Sequence, residues 1–176
     1  PIQILSIDMG TDSLTALGLG VEAPDPQLMH RPPRAQGDRL FSASLALRAY
    51  LFLGVIEAIA AMSTFFFVLY GSGWVYGQAL APSHPLYLQA TTACLSAVIV
   101  MQIVNVFLCR TATRSLWSMG LGGNPLILWG VLLEIALILV IDYTPWGNVI
   151  FGTAPISGRV WLFVMPFAVG LLVLEE

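Results

Sequence analysis

The chain has 176 residues, 57% of them hydrophobic and only 10% charged, with a formal net charge of −3. Ordinary soluble domains carry about 25% charged residues, so a fold of this size in water would lack the polar groups to cover itself, and lipid is the solvent that removes that need. All seven basic residues are Arg, which excludes a GxxxxGK[ST] phosphate loop and a Schiff-base lysine, while the small charge and the lack of a basic aromatic stripe exclude nucleic acid as a partner.

A helical span needs about 20 mostly apolar residues, and in chain order the first candidate is 2–20. It contains Ile7-Asp8-Met9-Gly10-Thr11-Asp12. An acid at the bilayer centre costs about 2.5–3.5 kcal/mol on insertion scales and normally faces a partner or a cavity. Asp8 and Asp12, four residues apart, share one helix face with Thr11 near it. Gly10 permits local unwinding that would free main-chain carbonyls, and two carboxylates, a hydroxyl and loosened carbonyls are the hard oxygen donors a cation requires. The plainer reading is that Asp12 or Thr11 caps a short helix through 14–20; two acids in one apolar span argue for the cation site.

Residues 22–48 follow, with Pro24, Pro26, Pro32, Pro33 and four arginines, which is loop chemistry. The second span, 49–70, carries Glu57, for which packing and function weigh equally, and a Met62–Phe67 stripe that reads as lipid-facing or packed surface. The third, 87–109, has no charge; its Gln102 and Asn105 share a face and serve either as interhelical hydrogen-bond glue or as ligands. The fourth, 125–141, contains Glu134, and Asp142 stands at its end, where solvent is expected to reach it. The fifth, 160–174, holds Pro166 as a tolerated kink. The expected architecture is all-α: a polytopic membrane bundle of about five transmembrane helices.

Gly- and Pro-rich stretches separate the spans, and the arginines divide unevenly among them. Arg31, Arg34, Arg39, Arg48, Arg110 and Arg114 fall on one side and Arg159 on the other, which puts the first and third loops in the cytoplasm. Trp74, Tyr76, Tyr143 and Trp146 then fall near the outer interface. Cys94 and Cys109 would be about 22 Å apart on one helix at 1.5 Å per residue, too far to pair. His30 and His84 lack metal-ligand neighbours, so a zinc site is not expected. The chain starts at Pro1 without a Met or a leader and reads as a piece cut from a longer protein.

Gln3 through Asp12 resembles the sixth membrane helix of type II P-type cation pumps, and Leu28-Met29-His30-Arg31-Pro32-Pro33-Arg34 resembles the loop after it, with the motifs in the family order. Met101 through Thr111 is similar to the eighth helix of the sodium/potassium branch, Asn124 through Glu134 to Pro145 to the ninth, and Trp161, Pro166-Phe167 and Glu175-Glu176 to the tenth. The resemblance implies that Asp8, Thr11 and Asp12 are cation ligands, with Asp8 and Asp12 as the charged ones. Gln102, Asn105 and Glu134 match positions of an additional sodium site. Met29, Arg31, Pro32, Pro33 and Arg34 match the segment that touches the phosphorylation domain. Two departures stand out: Asn105 where the branch usually has Asp, and Thr15 where the family usually has Pro, a residue that helps break the helix.

The family's phosphorylated Asp stands in an Asp-Lys-Thr-Gly-Thr motif, which a chain without Lys does not contain. The resemblance therefore implies a cation-translocation module with no cofactor of its own. ATP and magnesium would belong to the full-length pump, and the remaining helices and cytoplasmic domains of that pump, with membrane lipid, would be its partners. The module is expected to be multi-pass, in the cell membrane. Calcium, sodium, potassium and proton all remain open as the transported ion. The rival reading is a secondary cation transporter or a regulatory membrane subunit that uses Asp8 and Asp12 without nucleotide.

Overall fold

The computed structural model describes residues 12–22, 42–110 and 123–175. These form six helical elements: α1 (Asp12–Gly20), α2 (Ala43–Gly71), α3 (Pro85–Cys109), α4 (Pro125–Tyr143), α5 (Pro145–Phe151) and α6 (Gly158–Glu175). Four of them, α2, α3, α4 and α6, are long and apolar enough to cross a membrane. The described part is an all-α membrane bundle, as the composition requires.

The helix starts follow from local chemistry. α3, α4 and α5 each begin with a polar cap followed by Pro, whose missing N–H falls where no intrahelical acceptor exists. His84 Nδ1 accepts from the Leu86 amide at 3.2 Å, Asn124 Oδ1 accepts from Leu126 and Ile127 at 3.0 and 3.4 Å, and Thr144 Oγ1 accepts from Gly147 at 3.0 Å. α2 starts at Ala43 behind a Ser42 cap, passes through a π-helical stretch at Leu47–Leu53, and returns to α geometry at Gly54. Arg48 thus lies inside the helix, and its guanidinium pairs with Glu175 at the far end of α6.

α3 is the central helix. Its Met101 and Leu108 pack with Leu53 and Ala60 of α2 and with Ala168 and Leu171 of α6, while Leu95 and Ile99 pack with Ile138 and Ile141 of α4. Small residues let the helices approach: Ala60, Ala90, Ala93 and Ala97 are all fully buried, the pattern expected where lipid supplies no hydrophobic drive. Trp129, Leu132, Leu162, Val169 and Val173 face outward, as residues against lipid should. The Met62–Phe67 stripe divides: Met62 faces outward, whereas the Phe67 ring stacks on Phe163 at 4.2 Å and Phe65 meets Tyr87 edge-on at 6.3 Å. α6 runs unbroken through Pro166.

The expectation that Asp142 is solvated is wrong. Asp142 is fully buried, because the chain does not leave for solvent after α4. Thr144-Pro145 ends one helix and starts the next, and α5 folds back so closely that a Cβ on Gly147 would stand 2.7 Å from Ile141 Cα. Gly152, with φ at +63°, then reverses the chain. Thr153 is drawn in to donate to the Ile141 carbonyl at 2.6 Å, and the Ala154 amide donates to Thr92 Oγ1 on α3 at 2.9 Å. The segment that reads as an exposed loop is a lid over the end of α4.

The crowding at Gly147 is against backbone, which cannot swing aside. Gly147→Ala should therefore destabilise the protein by about 1–3 kcal/mol, the usual range for overpacking. Thermal unfolding of the full-length protein checks this, and an unchanged Tm would contradict the close α4–α5 turn.

Candidate functional site

The antiparallel pairing of α1 with α4 is set by glycine. A Cβ on Gly18 would meet Ile127 Cγ1 at 2.8 Å, and one on Gly130 would meet Thr15 Cγ2 at 2.9 Å. As α1 advances from 15 to 18, α4 runs back from 130 to 127. Thr15, the residue standing where the family usually has Pro, is buried in this contact, and α1 is helical from Asp12, the first described residue of that segment. Continuing the same register by one turn brings Glu134, which shares a face with Gly130, level with the first turn of α1.

α3 and α4 are likewise antiparallel. Ser96 meets Asp142 at one end, and Arg110 lies against Gly123 at the other, where an added Cβ would be 2.9 Å from Nη2. Between these two points Gln102 on α3 falls near the level of Glu134, and Asn105 about a turn along, nearer Gly130. Glu134 is 1% exposed; Gln102 and Asn105 are half-buried, and Asn105 Oδ1 accepts from the Cys109 thiol one turn on at 3.6 Å. Extending the two registers sets Gln102 of α3, Glu134 of α4 and the first turn of α1, which Asp12 opens, at similar heights along the bundle. Asp8, Thr11, Met29, Arg31, Pro32, Pro33 and Arg34 lie outside the described residues. Among the described residues no three His, Cys, Asp or Glu side chains come together as a metal site.

Sequence reasoning missed a polar knot where α1, α3 and α4 meet. Arg110 donates from Nη2 to Glu22 Oε1 at 2.8 Å and from Nε to Glu22 Oε2 at 3.2 Å. Asn124 Nδ2 donates at 2.8 Å both to Glu22 Oε2 and to the Gly18 carbonyl, while its Oδ1 caps α4. The Arg110 hydrogen bond holds the Glu22 carboxyl below the usual glutamate value; burial pushes the other way, and Asn124 and the Arg110 charge add to the lowering. A bidentate, nearly buried Arg–carboxylate pair is the strong kind. Asn124 before Pro125 is legible as a cap, but nothing local ties Glu22 to a partner 88 residues away.

Over residues 1–176 the sequence matches the family described as cation transporting ATPase, C-terminus. The chain belongs to that family. It is the C-terminal membrane region of a P-type cation ATPase. It is 26% identical over 204 aligned residues to the sodium/potassium-transporting ATPase subunit alpha-2 of Rattus norvegicus and of Homo sapiens, in alignments covering 99% of this chain and 20% of each relative. It has the same identity to the subunit alpha-1 of Catostomus commersonii, with 99% and 19% covered. The chain thus spans about a fifth of the length of the curated relatives it matches, and it supplies the membrane part only.

The knot makes a sign-specific prediction. A carboxyl whose folded-state value is depressed contributes stability above its unfolded value and loses it as pH falls through the folded one. Glu22→Gln should therefore unfold more easily than wild type at neutral pH, and the gap should close as pH drops below the ordinary glutamate range. Thermal unfolding of both proteins over an acid pH series measures it; a gap that persists unchanged into acid would show that the Glu22 charge is not what holds the knot.

Proposed function

We propose that this region forms part of the intramembrane cation site of an ATP-driven pump, with Asp8, Thr11 and Asp12 as ligands from the first span and Gln102, Asn105 and Glu134 completing a second position beside them. The observation behind the reading is the near-complete burial of Glu134, at a height that the helix registers make similar to that of Gln102 and the start of α1. Acids inside a span normally face a partner or a cavity and mark ion pathways. The cation is the cargo, and ligands from helices outside this chain would complete its shell. The sodium/potassium-transporting ATPase names of the relatives favour sodium or potassium as that cargo, and Asn105 makes the second position less negative than one built on Asp. ATP and magnesium would act in the cytoplasmic domains of the full-length protein. Family membership favours this pump reading over a secondary transporter that works without nucleotide.

Orientation follows from the bundle. Arg48 and Arg110 stand at one end with the loops that carry the other four arginines, which makes that end cytoplasmic. Half-buried Trp74 and exposed Tyr76 and Trp146 then lie toward the opposite interface.

In the full-length protein, Asp12→Asn should weaken the apparent cation affinity roughly tenfold or more, since a charge-assisted contact is worth about 1.5–3 kcal/mol. Glu134→Gln should have a smaller effect, confined to one of the bound cations. Cation-dependent phosphorylation by ATP reads both; an unaltered cation dependence in Asp12→Asn would sink the site.

The loop at 22–48 is the proposed coupling element. Arg31 and Arg34 offer fixed charge and planar donors to a neighbouring domain, stiffened by Pro32-Pro33 between them. Replacing both arginines with Gln should leave equilibrium cation affinity intact while turnover falls severalfold. Normal turnover in correctly inserted protein would reduce the two arginines to membrane-side anchors.

A further inference from the structure

Asp142 belongs to neither the cation site nor the coupling loop, yet it is the most enclosed acid among the described residues, with no exposed surface at all. Its Oδ2 lies 2.8 Å from Ser96 Oγ on α3, and that same Oγ lies 2.9 Å from the Thr92 carbonyl one turn back. A hydroxyl carries a single hydrogen, so Ser96 donates to only one of these two oxygens. The Thr92 carbonyl has no hydrogen to return. If Ser96 serves it, the hydrogen between Ser96 and Asp142 must come from the carboxyl.

The surroundings favour that arrangement. Asp142 Oδ1 has no hydrogen-bond partner, and the neighbouring α3–α4 core of Leu95, Ile99, Ile138 and Ile141 is aliphatic. An ionised carboxylate here would have one donor and, among the described residues, no counter-charge, whereas a neutral acid leaves only a carbonyl-like oxygen unmet, a far smaller cost. Among the described residues no titratable or charged group bonds to Asp142. α5 carries none. α3 offers Tyr87, Cys94 and Cys109, with His84 and Arg110 at its ends; α1 offers Asp12 and, past its end, Glu22; α4 itself has Glu134 and Tyr143. The Tyr143 hydroxyl donates to the Ile156 carbonyl at 3.0 Å, Arg110 is bound to Glu22 and Arg48 to Glu175 at the opposite end, and Arg159 on α6 is exposed. The lid keeps water out: with its amide nitrogen turned inward, Asn148 donates to the Asp142 main-chain carbonyl at 3.0 Å.

We propose that Asp142 and Ser96 form a proton-binding site buried between α3 and α4, distinct from the cation site. The carboxyl carries the bound proton on Oδ2 and donates it to Ser96 Oγ, which in turn donates to the Thr92 carbonyl. Occupied, this chain of two hydrogen bonds clasps the helices. Release sends the proton to water and leaves a carboxylate that only an opened lid can solvate, so occupancy and closure of the α3–α4 contact are linked. The site depends on the packing of α3, α4 and α5 and not on the assignment of the cation ligands.

Infrared difference spectroscopy on the full-length protein at neutral pH tests it. Wild type minus Asp142→Asn should contain one carboxylic-acid carbonyl band that shifts in D2O, with no matching carboxylate band. Ser96→Ala removes the acceptor of that proton and should move the same band to higher frequency; it also serves if Asp142→Asn fails to fold. A carboxylate signature in place of the acid band, an acid band that survives in Asp142→Asn, or one that ignores Ser96→Ala would each overturn the proposal.

Discussion

The antiparallel contact of α3 with α4 is pinned by polar groups at both ends, and the placement of the candidate site depends on it. At one end Arg110, Glu22 and Asn124 tie three helices into a knot; at the other, Ser96 holds Asp142 beneath the α5 lid. Between the pins the contact is aliphatic, with Leu95 and Ile99 against Ile138 and Ile141. Apolar helices in lipid can slide past one another at little cost, because lipid tails are as apolar as Leu. A hydrogen-bonded polar pair inside the bundle has no such freedom. Two pins at opposite ends define a register, and the register sets the height of Glu134 against α3.

Glycine sets the third wall. Gly18 and Gly130 let α1 lie directly on α4, with Thr15 and Ile127 filling the space a Cβ would occupy. The short α1 is thereby held against a long helix by close backbone approach, and the knot at Glu22 finishes the contact just past its last residue, Gly20. A helix anchored at its exit and packed through its middle has its first turn, opened by Asp12, defined. Arg48 and Glu175 play the corresponding part for α2 and α6, joining the start of one helix to the end of the other.

Much of this is legible in the residues. Hydropathy marks the long apolar helices, and the cap–Pro pairs at His84-Pro85, Asn124-Pro125 and Thr144-Pro145 mark where three helices begin, since caps act on amides two or three residues away. The start of α2 is less legible: Arg48 reads as loop by charge, but Glu175 neutralises it from 127 residues away and lets the helix reach back to Ala43. Asp142 misleads for the same reason. An acid beside Thr-Pro at the end of an apolar run looks solvated until α5 is seen to fold back on it.

Composition and spacing alone thus determined that the chain is a bundle of apolar helices and where several of them start, because each of these is a local matter of hydropathy and backbone hydrogen bonding. Only the tertiary structure decided which polar residues meet: Glu22 with Arg110, and Ser96 with Asp142. Such pairings join residues dozens of positions apart on different helices, and no periodicity along one helix encodes the height at which it stands against its neighbour.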